Sequence, residues 1–102
     1  MATISDENVI EFATFNIRPG MQQMFESALR EVGEILGGQP GYIAHIAQRC
    51  HELNTRYTLL VEWRSVEDHM GRFLASPDAR HCRQLTREYL VGSASAEHYR
   101  KI

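Results

Sequence analysis

Met21, Met24, Phe25, Ala28, Leu29, Val32, Ile35 and Leu36 recur at helical spacing and form one apolar stripe held over four turns. Pro19 suits the entry to that helix, and Gly37 with Gly38 stops it. A helix that is apolar along one stripe only must lay it on another element, and the rest of the chain supplies strands.

"NVIEFATFNI" (8–17) is rich in β-branched and aromatic residues and reads as the first strand. Period two puts Val9, Ala13, Phe15 and Ile17 on one face, interrupted only by Glu11, and Ile10, Phe12 and Thr14 on the other. After the turn "QPG" (39–41), "YIAHIAQRC" reads as a second strand. "RYTLLVEW" (56–63) reads as a third, and the short "HELNT" between them makes the pair an antiparallel hairpin. "SVED" then opens a helix with a hydroxyl at Ser65 and a carboxylate three residues on, the capping-box pattern. Its expected stripe is Val66, Met70, Phe73 and Leu74. "SPD" (76–78) stops and restarts the helix, with a new stripe of Ala79, Cys82, Leu85, Tyr89 and Leu90, and "AEHYRKI" closes the chain as a fourth strand.

The order strand, helix, strand, strand, helix, strand predicts an α+β, ferredoxin-like βαββαβ fold: a four-stranded antiparallel sheet with helices on one face. At 102 residues the chain is expected to be one domain, with residues 1–7 flexible. Two helices cover only one face of such a sheet, yet the strands are apolar on both: Tyr57, Leu59 and Val61 on one side, Leu60 on the other, Ile43 opposing Tyr42 and Ile46. The expected remedy is a homodimer packed sheet to sheet.

A net charge of -2 argues against nucleic acid as a partner. No stretch approaches a membrane span, and the polar start lacks the form of a signal peptide, so the chain is expected to be cytoplasmic with reduced thiols. His51, His81 and His98 make no metal-ligand pattern; His81 and Cys82 are adjacent and diverge on a helix. No metal and no nucleotide cofactor is expected. Glu67 and Asp68 read as helix-start carboxylates.

A strand ending in "EW", then "SxEDH", a helix carrying "FLAS", an earlier "PGxxxxFExAL", a "PGY" before the second strand and a closing "EHY" resemble the antibiotic biosynthesis monooxygenase family, from about Val9 to Tyr99. The resemblance implies a dimeric α+β barrel. Activity in such proteins varies: some oxidise quinols or polycyclic phenols without a cofactor, some degrade haem, some are isomerases. Fold therefore constrains function poorly. The haem-degrading branch is not expected here. Its strand asparagine falls at Ala13, its helix tryptophan near Arg72 or Phe73 and its histidine ligand near Arg83, and none matches in type. The phenol-oxidising branch is similar to this chain in a tryptophan ending the third strand (Trp63), a polar ring six residues later (His69) and an arginine further along (Arg83). It departs at Leu59, where that branch has asparagine.

The resemblance therefore implies a cofactor-independent monooxygenase acting on a small aromatic or quinol-type substrate with O2. His69, or His45, takes a phenolic proton. Trp63 and Arg83 bind oxygen atoms, and Phe12, Phe15, Tyr57 and Phe73 shape the pocket. Each has a plainer reading: His69 as a satisfied core histidine, Trp63 as a core tryptophan, the other aromatics as packing. The competing functions are a non-catalytic dimeric small-molecule-binding or stress-associated barrel and a small carbonyl-compound isomerase.

Overall fold

The computed structural model describes residues 8–102. The expectation for 1–7 lies outside the described residues. The elements run β1 (Val9–Asn16), α1 (Gln22–Leu36), β2 (Tyr42–Arg49), β3 (Arg56–Trp63), a π-helical turn (Asp68–Phe73), α2 (Pro77–Thr86), a 3-10 turn (Arg87–Tyr89) and β4 (Ser95–Tyr99). The sheet order is β2-β3-β1-β4, antiparallel at every pairing. This is the ferredoxin-like α+β arrangement, with the helices on one face.

Strand parity decides the two faces. Val9, Glu11, Ala13 and Phe15 of β1 and Tyr57, Leu59, Val61 and Trp63 of β3 point toward the helices, and all but Glu11 are buried. α1 lays Phe25, Ala28, Leu29, Val32 and Leu36 on them. Burying an aliphatic or aromatic side chain in this layer stabilises by roughly 1.5–3 kcal/mol. Phe15, Phe25 and Tyr57 form an aromatic cluster at one end of the core, with centroid spacings of 5.6 and 5.0 Å.

The other face is bare of helices. Registers align Ile46, Leu60 and Phe12 across β2, β3 and β1, with Ile10 and Tyr99 paired in the adjoining row. Ile43 sits at a bulge between Tyr42 and Ala44. Phe12, expected among the pocket residues, belongs to this outer face. It meets the edge of Tyr99 at 6.0 Å and has no place in the helix-side layer.

Two departures from the sequence pattern shape the functional region. The segment after Ser65 begins as expected, with the Asp68 N–H donating to Ser65 Oγ at 3.1 Å. It then widens to a π turn, seen in the Leu74 N–H donating to His69 O, five residues back, at 2.9 Å. The wider turn rotates the stripe: His69 and Phe73 face the core, whereas Met70 is 50% exposed and Leu74 is exposed as well. Asp68, read from sequence as a simple helix-start carboxylate, is buried. It accepts from Ser65 Oγ at 3.1 Å and pairs with Arg64 and Arg72 at 3.2 and 3.3 Å, and those partners hold its carboxyl below the ordinary range. It packs directly on Gly41, whose φ of +81° and lack of Cβ are both needed for the close approach. That contact ties the start of β2 to the π turn.

Ser76 restarts the helix with an extended backbone, its Oγ accepting from the Ala79 N–H at 3.2 Å and Pro77 in the first turn. Among the described residues, no helix is long and apolar enough to cross a membrane.

Candidate active site

The sheet and the two helices do not close on each other. They leave a cavity of about 500 Å³, walled by apolar side chains including Phe15, Val32, Leu59, Val61 and Phe73. One end is polar, with Glu11 from β1 and His69 from the π turn. The other reaches exposed Arg83 and Arg87 and the run of small residues from Gly92 to Ala96 that leads into β4.

Glu11 explains the interruption in the β1 pattern. Its carboxylate is directed into the core because strand parity leaves no alternative, and its Oε1 accepts the Trp63 Nε1–H at 2.9 Å. His69 Nε2 lies 3.2 Å from the same oxygen. Oε2 carries no hydrogen bond among the described residues, and Glu11 borders the cavity, so this oxygen is the one open to a ligand. Burial pushes the Glu11 carboxyl above the ordinary range, and the bond from Trp63 only partly offsets it.

His69 is 2% exposed and packs in a triangle of rings, with the Trp63 indole at 5.3 Å and an interplanar angle of 22°, Phe73 at 6.2 Å and 24°, and those two rings 5.6 Å from each other. Its Nδ1 is hydrogen-bonded to His98 Nε2 at 2.7 Å. Desolvation, and then repulsion from His98, lowers its pKa to about 4, so the imidazole is neutral near pH 7. Both ring nitrogens therefore face side chains, not backbone.

The expected site residues separate into groups. His69, Phe15, Phe73 and Arg83 border the cavity. Trp63 does not. It is fully buried behind His69, with its N–H spent on Glu11, so it positions the polar end without touching the hollow. His45 and Tyr57 lie in a different, shallower groove of about 310 Å³ between α1 and β2. There His45 Nδ1 bonds the Tyr42 hydroxyl at 2.7 Å, and the Tyr57 hydroxyl donates to Glu26 at 2.6 Å. Burial and then Glu26 push the Tyr57 hydroxyl up to about 12. Phe12 is on the outer sheet face.

Glu11 and His98 were absent from the sequence-based site. The signal for Glu11 was present: one charge in an otherwise apolar strand phase. His98 comes into range only through the β1–β4 register, which pairs it with Glu11. Among the described residues, no group of three or more His, Cys, Asp or Glu side chains is arranged to hold a metal ion.

Several known proteins share this fold closely. A candidate antibiotic biosynthesis monooxygenase from Bordetella bronchiseptica superposes with a TM-score of 0.90 at 27% identity, covering 94% of this chain and 98% of its own. SnoaB, a cofactor-independent oxygenase from Streptomyces nogalater, superposes with a TM-score of 0.75 at 22% identity, covering 91% of this chain and 89% of its own, a likeness of fold. The uncharacterized protein YczJ of Bacillus subtilis is 34% identical over 94 residues, 92% of this chain and 99% of its own. The antibiotic biosynthesis monooxygenase family model matches residues 8–85. With that match over most of its length, and a relative of this identity aligned nearly end to end, the chain belongs to the antibiotic biosynthesis monooxygenase family.

Proposed function

We propose that the protein is a cofactor-independent monooxygenase that oxidises a small aromatic, quinol-type substrate with O2. The observation that carries the reading is a cavity of about 500 Å³ that is apolar along its walls and ends in a carboxylate–imidazole pair, the imidazole buried and the carboxylate nearly so. A neutral hydroquinone reacts slowly with O2, whereas its anion is a far stronger one-electron reductant. The protein's tasks are then to remove a proton, hold the ring in a dry slot and stabilise negative oxygen. Glu11 and His69 serve the first, Phe15 and Phe73 the second, and the Arg83 guanidinium the third.

The anion gives one electron to O2, and the resulting pair combines to a carbon-bound peroxide. The carbon bearing the peroxide then loses its C–H proton as the O–O bond breaks, which leaves a carbonyl and releases water. One atom of O2 stays in the product and the other departs as water, so no external reductant is consumed. SnoaB, described as a cofactor-independent oxygenase, supports this choice of chemistry on a shared fold.

The homodimer follows from the bare sheet face. Ile10, Phe12, Ile46, Leu60 and Tyr99 form an apolar field on the side without helices, and a second copy is the natural cover for a self-complementary surface. Phe12→Glu is expected to give monomers in sedimentation; an unchanged particle mass contradicts this assignment.

Oxygen uptake with a menadiol-type hydroquinone tests the activity. Consumption well above spontaneous oxidation, absent without O2, is the expected result. Turnover without oxygen indicates an isomerase, and binding with no turnover indicates a carrier.

A further inference from the structure

Glu11, His69 and His98 form a continuous line from the cavity to the protein surface. Glu11 Oε1 is 3.2 Å from His69 Nε2, and His69 Nδ1 is 2.7 Å from His98 Nε2. His98 stands on β4 directly opposite Glu11 and is partly exposed. We propose that this line is a proton relay in which Glu11 Oε2 is the group that touches the substrate hydroxyl and His98 is the exchange point with solvent. The substrate step rests on the oxygenase reading; the relay itself does not. His98 also lies beyond residues 8–85, where the family model matches.

The hydrogen-bond arithmetic of a neutral imidazole limits the line to two states. One ring nitrogen of His69 holds a proton and the other does not. If His98 Nε2–H donates to Nδ1, then His69 Nε2–H faces Glu11, and Glu11 is a carboxylate. If His69 Nδ1–H donates to His98, a bare Nε2 faces Glu11, which must then be the carboxylic acid protonated on Oε1. With both imidazoles neutral these are the two arrangements, and they differ by a proton on Glu11 and by the tautomers of both His69 and His98.

Proton delivery by the substrate starts from the second arrangement, balances, and leaves Glu11 protonated on Oε2 in place of Oε1. As the phenolic O–H breaks, Oε2–H of Glu11 forms and Oε1–H breaks. His69 Nε2–H forms while its Nδ1–H breaks, and His98 Nε2–H forms. His98 then loses its Nδ1 proton to solvent. The same line run inward returns the proton that the departing water needs when the peroxide collapses.

The titratable or charged groups facing this line are few. Glu11 meets His69 from the π turn and His98 from β4, with the uncharged Trp63 from β3 behind. Arg83 and Arg87 border the same cavity from α2 and the turn after it. A buried acid and a neutral histidine are the states the relay needs, and burial favours both.

Two measurements decide. In the first, nitrogen-15 NMR of histidine side chains follows His69 as pH is lowered through the titration of Glu11, which a carbon-13 label on the Glu11 carboxyl reports directly. The relay predicts a neutral ring throughout that switches tautomer as Glu11 titrates, with the switch abolished in Glu11→Gln. A single tautomer at every pH, or an imidazolium, overturns it. In the second, His98→Ala is expected to lower kcat by about tenfold or more with little change in KM, and added imidazole should restore much of the rate. A full rate in His98→Ala, or a loss that imidazole does not rescue, overturns the exit role. Should no hydroquinone consume oxygen while the tautomer switch is seen, the oxygenase reading fails and the relay stands. Oxygen consumption with no switch and full activity in His98→Ala means the opposite: the relay fails and the oxygenase reading stands.

Discussion

His69 and His45 carry the same side chain in the same molecule, and the fold treats them in opposite ways. His69 packs against Trp63 and Phe73, with one nitrogen on His98 and the other beside Glu11. His45 is exposed on β2, bonded to the Tyr42 hydroxyl and laid against Gly33 of α1. The contrast shows that a histidine becomes useful for proton transfer through its company. A desolvated ring beside a second titratable group is held in one charge state and given a partner. A ring at the surface exchanges with water whatever its neighbours do.

The largest expected effect separates the two directly. His69→Gln should reduce turnover of a hydroquinone by about 100-fold or more, the usual scale for a general acid–base group. His45→Gln should leave it within about twofold of the parent, since surface substitutions away from a site are nearly neutral. Steady-state oxygen uptake on both variants checks this, and equal losses would erase the distinction.

The pH dependence of stability comes next. The His69 pKa is about 4 in the fold and near the ordinary 6.5 when unfolded, so the unfolded chain binds the extra proton first. Its neutral-state contribution is complete above about pH 6.5 and is lost as pH falls toward 4, by up to about 3 kcal/mol. Glu11 tilts the other way. Its raised pKa costs stability as pH climbs above the ordinary carboxylate value. Urea melts should show the acid-side loss in the parent and in His45→Gln, but a shallower one in His69→Gln.

Much of this was legible in the sequence. The stripe from Met21 to Leu36 and the alternation in 56–63 returned α1 and β3, with β3 as predicted and α1 starting one residue later. The π turn was not legible, because Val66, Met70, Phe73 and Leu74 satisfy an ordinary helical template and the wider turn depends on packing with β1 and β3. Phe12 was a misreading that strand parity already contradicts: it cannot share a face with Phe15. Tyr57 has the right parity, but it lies at the Phe25 end of the strand, far along β3 from Trp63. The Glu11–His69–His98 line joins residues 58 and 29 positions apart, and no local pattern encodes such pairings.

Smaller effects sharpen the same comparison on the β2 side. Tyr57→Phe removes the hydroxyl bond to Glu26 at 2.6 Å and should cost about 1–2 kcal/mol in thermal melts with no change in oxygen uptake. Gly33→Ala gains helix propensity, but its Cβ would sit 2.6 Å from His45 Nε2, so the exposed imidazole must swing aside. The net change should be under about 1 kcal/mol, with His45 resonances shifted and those of His69 unmoved.

Ligand mapping tests the central claim most directly. Backbone and side-chain NMR shifts are followed while menadione, a quinone analogue with no phenolic proton to remove, is titrated into the protein. Glu11, His69, Phe73 and Arg83 are predicted to respond together at saturation, while His45, Arg30 and Gln48 of the α1–β2 groove stay still. Shifts confined to that groove, with the Glu11–His69 end silent, would contradict the assignment of the cavity as the site.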